Sequence, residues 1–208
     1  MLSPQLRQKV FNLWSMFWAS GMANPLTAIE QITYLLFLKQ LEALDAQRAA
    51  DGKPSIYGMR PDCGLDHPGD PAECPGHDFC RWSEIKKKPT HELFSQYVFP
   101  WLRKLDDTFA LLGNGDESDL SNMGQGIMED AYFQFPREKA ATLERAIKTI
   151  DELFPQMDLR GKDLMGDIFE YLLDEIRISG KNGQFRTPRH IIRFMVELLD
   201  PQPAGTLS

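Results

Sequence analysis

The chain has 208 residues, of which 42% are hydrophobic, and this is enough to bury a core within one domain. Its formal net charge of −7 argues against a protein that binds nucleic acid over its whole surface. No apolar run is long enough to span a membrane, no signal-peptide pattern opens the chain, and the three cysteines suit a reducing compartment, so a cytoplasmic protein is predicted.

Apolar residues recur at helical spacing along most of the chain. Helices are predicted over residues 4–19, 25–49, 90–111, 136–153, 162–178 and 188–199, with a short one at 124–132. Asn24 is the predicted N-cap of the second helix, and Gly21 ends the first. Because no alternating β-branched stretch competes with these helices, residues 1–180 are predicted to form an all-α, multi-helix domain with long loops and antiparallel packing.

The segment over residues 51–80 interrupts this helical pattern. It contains five glycines and five prolines, so no regular element is expected there. A loop of this length inside a compact domain is unusual and requires an explanation. A second, acidic loop is predicted from Gly113 to Gly126.

Cysteines and histidines cluster in the first of these loops. Cys74, His77 and Cys80 have a spacing that could bind zinc, with Cys63 or His67 as the fourth ligand. A metal ion would also organise a loop that buries no core of its own. The strong zinc signal, two paired Cys-x2-Cys knuckles, is missing. The pattern therefore favours reduced thiols in a variable loop and leaves structural zinc as the alternative.

Two features follow the loop directly. Trp82 is predicted to anchor in the core rather than to form an exposed contact. The run from Lys86 to Lys88 is predicted to be a solvated edge rather than a phosphate-binding patch. Neither feature therefore predicts a binding site.

The predicted helix over residues 162–178 carries an apolar stripe that is typical of a core-facing helix. The stripe consists of Leu164, Ile168, Leu172 and Ile176. Glu170 and Tyr171 could face a cofactor pocket, but close helix–helix packing around Gly166 explains the same pattern.

The segment from Gly183 to His190 has the composition of a ligand site at a helix start. Thr187 is a good N-cap and Pro188 suits the first turn, so free N–H groups would face a ligand in front of Thr187. Phe185 offers an apolar face, and Gly183 lets the backbone approach closely. The pattern fits a small anionic, aromatic molecule, and an ordinary capped helix is the alternative interpretation.

Two strings carry a resemblance to a known family, GDIFEYLL at residues 166–173 and SGKNGQFRTPR at residues 179–189. Together they resemble the modification (M) subunit of type I restriction–modification systems, which is similar to adenine-N6 DNA methyltransferases. Residues 32–41 and 81–84 resemble the helical N-terminal domain of that family. The resemblance implies that the parent protein methylates adenine in DNA with S-adenosylmethionine as cofactor.

The resemblance also implies roles for residues near the end of the chain. One part of the S-adenosylmethionine pocket would be formed by Gly183, Phe185, Thr187 and Pro188. Contacts to DNA or to a partner subunit would be made by the basic residues Lys181, Arg186 and Arg189. The implied partners are DNA, the specificity subunit, a second modification subunit and, indirectly, the restriction subunit.

The 208 residues lack two parts that an adenine methyltransferase needs. They contain no strand followed by a glycine-rich turn, and no Asn/Asp-Pro-Pro-aromatic tetrapeptide for the flipped base. The chain ends at Ser208, where the first strand of the α/β methyltransferase domain would begin. We therefore expect a helical recognition and assembly domain over residues 1–180, the first helix of a truncated methyltransferase domain over residues 181–208, and no activity from this piece alone.

A rival interpretation is a free-standing helical interaction module, with or without a structural zinc loop. The acidic composition and the incomplete catalytic set favour it. Hydrolase chemistry has no support, because His91 and His190 have no matching nucleophile or base pattern.

Overall fold

The computed structural model describes residues 3–22, 24–60, 63–69, 73–112, 128–153 and 162–178, and within the last range it describes the side chains of residues 167–175. Every regular element in these ranges is helical, so the predicted all-α fold is confirmed there. None of these helices combines the length and the apolar character needed to cross a bilayer. The helix predicted over residues 188–199 lies outside the described residues.

Seven α-helices and three shorter helical segments lie in these ranges. The α-helices are α1 (Pro4–Ala19), α2 (Pro25–Ala50), α3 (Trp82–Ile85), α4 (Phe99–Arg103), α5 (Leu105–Leu112), α6 (Ala140–Leu153) and α7 (Lys162–Ile178). The shorter segments are two 3-10 turns, Asp78–Cys80 and Arg137–Lys139, and the π-helical segment Leu93–Val98.

The first two helices begin where the sequence predicts. Ser3 caps α1, since its hydroxyl accepts a hydrogen bond from the Leu6 N–H at 3.3 Å. Asn24 caps α2, since its side-chain oxygen accepts from the Leu26 N–H at 2.9 Å. A proline follows each cap in the first turn, where its missing N–H leaves no hydrogen bond unmade. The predicted N-cap at Asn24 is therefore confirmed.

The prediction of one continuous helix over residues 90–111 is wrong. Its first part is π-helical, and the N–H of Phe99 bonds to the carbonyl of Phe94, five residues earlier. The next residue is Pro100, which has no N–H to donate and whose ring clashes with a carbonyl four residues back in a regular α-helix. The wider π turn accommodates this proline. The helix breaks again at Lys104, between α4 and α5.

Residues 128–132 form a turn and irregular chain, not a continuation of the short helix predicted over 124–132, the first part of which lies outside the described residues. The side chain of Gln31 on α2 holds this segment. Its amide nitrogen donates to the carbonyl of Tyr132 at 2.9 Å, and its amide oxygen accepts from the N–H of Gln134 at 3.1 Å. Two backbone groups of an irregular segment are thus satisfied by one buried side chain.

Helix α2 lies at the centre of the fold. It contacts α1, α3, α6 and α7, and α1 also packs against α6 and α7. The fully buried side chains of α2 include Ile32, Leu35, Leu36, Leu38 and Leu41. In α7, Ile168, Phe169 and Leu172 join the same core, which confirms the predicted apolar stripe for the described part of that helix.

Candidate metal centre

One buried carboxylate attaches the long loop over residues 51–80 to α2. Asp45 accepts hydrogen bonds from the Ile56 N–H at 2.6 Å, the Ser55 hydroxyl at 3.0 Å and the Arg81 guanidinium at 2.7 Å. The Asp45 side chain is 3% exposed, so these bonds replace water around a buried charge. Because Ser55 and Arg81 lie near opposite ends of the loop, Asp45 joins both ends to one point of α2.

A column of stacked side chains extends from Arg81 into the loop. The Arg81 guanidinium lies 4.2 Å from the centre of the Tyr57 ring, and Tyr57 stacks on Trp101 with 5.1 Å between ring centres. The centre of the His77 imidazole lies 6.1 Å from that of the Trp101 ring. The backbone N–H of His77 donates to the backbone carbonyl of Tyr57 at 2.8 Å. The two halves of the loop therefore meet beside Trp101.

Four side chains with metal-binding atoms converge at this point. They are Cys63, His67, Cys74 and His77, and their ligand atoms all lie within 4.8 Å of one another. The Sγ of Cys63 is 3.2 Å from Nε2 of His77 and 3.8 Å from Nε2 of His67. The Sγ of Cys74 is 4.0 Å from Nε2 of His77. We call this group of four residues the Cys2His2 cluster.

His77 is the most enclosed member of the Cys2His2 cluster. Its side chain is buried, and its Nδ1 lies 3.2 Å from the carbonyl oxygen of Gly58. Since a carbonyl can only accept, Nδ1 is assigned as the N–H donor, and Nε2 presents its lone pair to the two thiols. Burial lowers the pKa of His77 to about 4, and the charge of Arg60 acts in the same direction. The imidazole is therefore neutral at neutral pH.

The surroundings of the thiols combine burial with positive charge. Burial raises the pKa of the Cys63 thiol, and the neighbouring Cys74 also raises it. Arg60 is half-buried next to both thiols, and burial lowers the pKa of its guanidinium while the negative charge of the thiolates opposes that effect. The Nζ of Lys104 donates to the carbonyl of Cys63 at 3.3 Å. The positive charge of Arg60 partly opposes the rise in the pKa of Cys63.

Cys80, the last member of the predicted Cys74, His77 and Cys80 triplet, is outside the Cys2His2 cluster. It is fully buried in the hydrophobic core, and burial raises the pKa of its thiol well above the usual value. His67, an alternative fourth ligand in the sequence, is a full member together with Cys63. In the structure, Cys63 and His67 come from one stretch of the loop, and Cys74 and His77 come from a later one. The spacing pattern had predicted three ligands from the single stretch over residues 74–80.

The two features next to the loop are as predicted. Trp82 is 3% exposed, and its indole N–H donates to the carboxylate of Asp151 at 2.8 Å. The side chains of residues 86–88 are exposed. Lys86 forms an ion pair with Asp151 at 3.0 Å, and Lys87 forms one with Glu84 at 2.6 Å. A core anchor and a solvated edge are both confirmed.

The residues predicted for cofactor and DNA contacts follow α7 in the chain. The candidates Gly183, Phe185, Thr187, Pro188, Lys181, Arg186 and Arg189 lie outside the described residues. Of the two α7 residues considered for a cofactor pocket, Glu170 is exposed, and the ring centre of Tyr171 lies 5.9 Å from the guanidinium carbon of Arg7 on α1. Tyr171 thus contacts another helix of the domain.

Asp45 is the important residue that the sequence analysis missed. A signal for it exists, because position 45 follows Leu38 and Leu41 at spacings of seven and four residues on the core-facing side of α2. A carboxylate in such a place predicts a buried polar anchor with partners from elsewhere in the chain. The sequence does not identify those partners, since Arg81 is 36 residues away.

Comparison with protein families gives two matches along the chain. The family described as HsdM N-terminal domain matches residues 6–150, and the family described as N-6 DNA Methylase matches residues 160–207. No solved structure shows significant similarity to the chain.

A curated relative agrees with these matches. The chain is similar to the type I restriction enzyme EcoEI methylase subunit of Escherichia coli, with 44% identity over 101 residues. The similar region covers 47% of this chain and 20% of the relative, so the chain corresponds to a small part of that protein's length.

Proposed function

Because the chain belongs to the HsdM N-terminal domain family, we propose that it supplies the N-terminal domain of a type I restriction–modification methylase subunit, followed by the start of the methylase domain. The whole protein transfers a methyl group from S-adenosylmethionine to N6 of adenine in DNA. The observation that carries this proposal is the succession of the two families along one chain, first over residues 6–150 and then over residues 160–207.

The packing of α7 supports direct contact between the region that matches the N-terminal domain family and the start of the region that matches the methylase family. This helix lies within the residues that match the methylase family, and its Ile168 and Leu172 are buried in the core with α1 and α2. Burial of such side chains stabilises the contact by about 1.5–3 kcal/mol each. The helical domain therefore holds the beginning of the methylase region, as expected of a domain that assembles the catalytic part with its partners. The boundary at residue 180 remains a prediction.

The proposed cofactor pocket includes Gly183, Phe185, Thr187 and Pro188. The Thr187-Pro188 pair predicts a helix start, and free backbone N–H groups at such a start would face a carboxylate such as that of S-adenosylmethionine. The Phe185 ring suits stacking against the adenine of the same cofactor.

The proposed contacts to DNA phosphates or to an acidic partner surface are made by Lys181, Arg186 and Arg189. The partners are DNA, the specificity subunit and a second modification subunit, with the restriction subunit bound indirectly. The site of action is the cytoplasm.

The 208 residues are proposed to be inactive alone. They contain no pair of adjacent prolines and therefore no Asn/Asp-Pro-Pro-aromatic tetrapeptide to bind a flipped adenine. The role of this part is then subunit assembly and closure around DNA.

The proposal is tested in the host and with the complete protein. Deleting the gene should remove a set of N6-methyladenines from the host genome, as mapped by sequencing. The complete protein with its specificity subunit should transfer labelled methyl groups from S-adenosylmethionine to that unmodified DNA.

Phe185→Ala should weaken cofactor binding roughly tenfold in calorimetry, by loss of one stacking contact. His91→Gln, in the helical domain, is the control and should bind cofactor normally.

Two results would count against the proposal. An unchanged set of N6-methyladenines after deletion would remove the assigned reaction. Methyl transfer by the 208-residue chain alone would contradict the predicted inactivity.

A further inference from the structure

We infer that the Cys2His2 cluster (Cys63, His67, Cys74 and His77) binds one structural zinc ion. The inference is independent of methyl transfer, since it depends only on the described part of the long loop. Two thiols and two imidazoles are a common ligand set of structural zinc sites in proteins.

The distances within the Cys2His2 cluster fit a tetrahedral zinc ion. With Zn–S of about 2.3 Å and Zn–N of about 2.0–2.1 Å, neighbouring ligand atoms are separated by about 3.3–3.8 Å. The separations from Cys63 Sγ to the two imidazole nitrogens are 3.2 and 3.8 Å, and that from Cys74 Sγ to His77 Nε2 is 4.0 Å. The other separations among the four atoms are no more than 4.8 Å, so movements of up to about 1 Å bring all four atoms onto one ion.

The two imidazole rings are already held by neighbouring groups of the protein. The Nδ1 of His77 faces the Gly58 carbonyl, so its Nε2 is oriented toward the thiols. His67 is buried against the rings of His77 and Phe79, with 5.1 and 5.7 Å between ring centres. Both imidazoles are thus oriented by contacts outside the cluster, which lowers the entropy lost when the metal binds.

The charge of the site also suits zinc. Two thiolates balance a divalent ion and two neutral imidazoles add nothing, so a half-buried loop takes up no net charge. Each thiol releases its proton on binding. A softer, sulfur-containing site of this kind selects zinc over magnesium or calcium, which prefer oxygen ligands.

All four coordination positions are filled by the protein, so the site is structural and leaves no position for a substrate. Its effect is to join two separate parts of the loop. Cys63 and His67 come from one half, and Cys74 and His77 from the other. The bound ion keeps His77 beside Trp101 and thereby holds the loop on the helical core.

The first test is metal analysis of the untagged protein, purified in reductant without chelator. We expect about one zinc ion per chain in the wild type. Cobalt replacement should give the intense visible absorption and the thiolate-to-metal charge transfer of a tetrahedral site with sulfur ligands. Wild-type protein without zinc that also fails to take up zinc or cobalt, or a Cys63–Cys74 disulfide in its place, would overturn the inference.

Variants then identify the ligands. Cys63→Ser, Cys74→Ser and His77→Asn should each lose zinc, with affinity lowered roughly tenfold or more. Cys80→Ala is the matched control, because it removes the cysteine that the spacing pattern includes and the structure leaves out. Zinc retained in Cys74→Ser but lost in Cys80→Ala would overturn the ligand set.

A measurement on the wild type covers the case in which a ligand variant does not fold. Removing zinc with a chelator should lower the melting temperature by roughly 5–10 °C, and adding zinc back should restore it. An unchanged melting temperature after the metal has been removed would overturn the structural role.

Discussion

The guanidinium of Arg81 donates a 2.7 Å hydrogen bond to the carboxylate of Asp45, although the two residues are 36 positions apart. Asp45 is almost fully buried on α2, and Arg81 stands at the end of the long loop. The same guanidinium covers the ring of Tyr57. This ion pair therefore contributes to holding the loop in the position that brings the Cys2His2 cluster together.

Replacing Asp45 should destabilise the protein strongly. Asp45→Asn leaves Arg81 without its buried partner and weakens the acceptor of the Ile56 N–H, so the free energy of unfolding should fall by about 3 kcal/mol. Urea unfolding followed by circular dichroism measures the loss. Glu144→Gln, at an exposed position of α6, is the control and should change stability by less than about 0.5 kcal/mol. Equal effects of both substitutions would contradict the anchoring role of Asp45.

The stability of the protein should decrease below pH 4 through Asp151. Burial alone would raise the pKa of this carboxyl, but hydrogen bonds from Trp82, Lys86 and Lys39 prevail and lower it from 3.8 to about 2. A folded-state pKa below the unfolded one means that the carboxylate stabilises the fold above pH 4, and that this contribution is lost as the pH falls toward 2.

Asp151→Asn removes this pH dependence. At pH 7 the variant should be less stable than the wild type by about 1 kcal/mol, discounted for the partial exposure of the carboxylate, and the difference should shrink toward zero at pH 2. Urea midpoints over this pH range measure it. Glu152→Gln, which is exposed beside it, serves as the control. A difference that stays constant from pH 7 to pH 2 would show that the charge of Asp151 does not contribute.

Gly76 should tolerate alanine less well than Gly69. Both glycines have positive φ, +96° and +87°, so a side chain is strained at either position. A Cβ at Gly76 would also lie 3.1 Å from the Tyr57 carbonyl oxygen, whereas at Gly69 it would meet nothing within 4 Å. Gly69→Ala should cost about 1 kcal/mol and Gly76→Ala about 2–3 kcal/mol, as measured by urea unfolding. The reverse order would be inconsistent with the close approach of the two halves of the loop.

Gln31 should contribute to stability through two backbone groups. Gln31→Ala leaves the carbonyl of Tyr132 and the N–H of Gln134 without their buried partner, so we expect a loss of about 2–3 kcal/mol in thermal or urea unfolding. Gln8→Ala on α1 is a matched control, because that side chain is exposed and bonds only to Asn12. Similar losses in both variants would mean that the position of residues 132–134 does not depend on Gln31.

Local chemistry made much of the helical framework predictable. The ends of α1, the start of α2 and the core position of Trp82 depend on caps, prolines and apolar spacing within a few residues, and the structure agrees with each of them. The helix over residues 90–111 could not be predicted correctly from periodicity alone. The periodicity continues through Pro100, but the backbone hydrogen bonds there do not follow the regular pattern.

The sequence predicted which loop and which residue types could bind a metal, but it did not predict which four residues come together. The sequence placed three cysteines and two histidines in one Gly/Pro-rich loop, and its spacing favoured Cys74, His77 and Cys80, with Cys63 or His67 as the fourth ligand. The choice of His67 over Cys80 depends on which side chains face one another after the loop folds back, with the His77 N–H on the Tyr57 carbonyl. No spacing rule within residues 74–80 contains that information.

The sequence by itself determined the all-α class, the first two helices and the resemblance to modification subunits, because these depend on short-range patterns and on continuous strings such as that at residues 166–173. Only the tertiary structure decided that Asp45 anchors the long loop and that Cys63 and His67 face Cys74 and His77. Those relationships join residues that are distant along the chain. They arise when buried charges and donors have to find partners within a folded core.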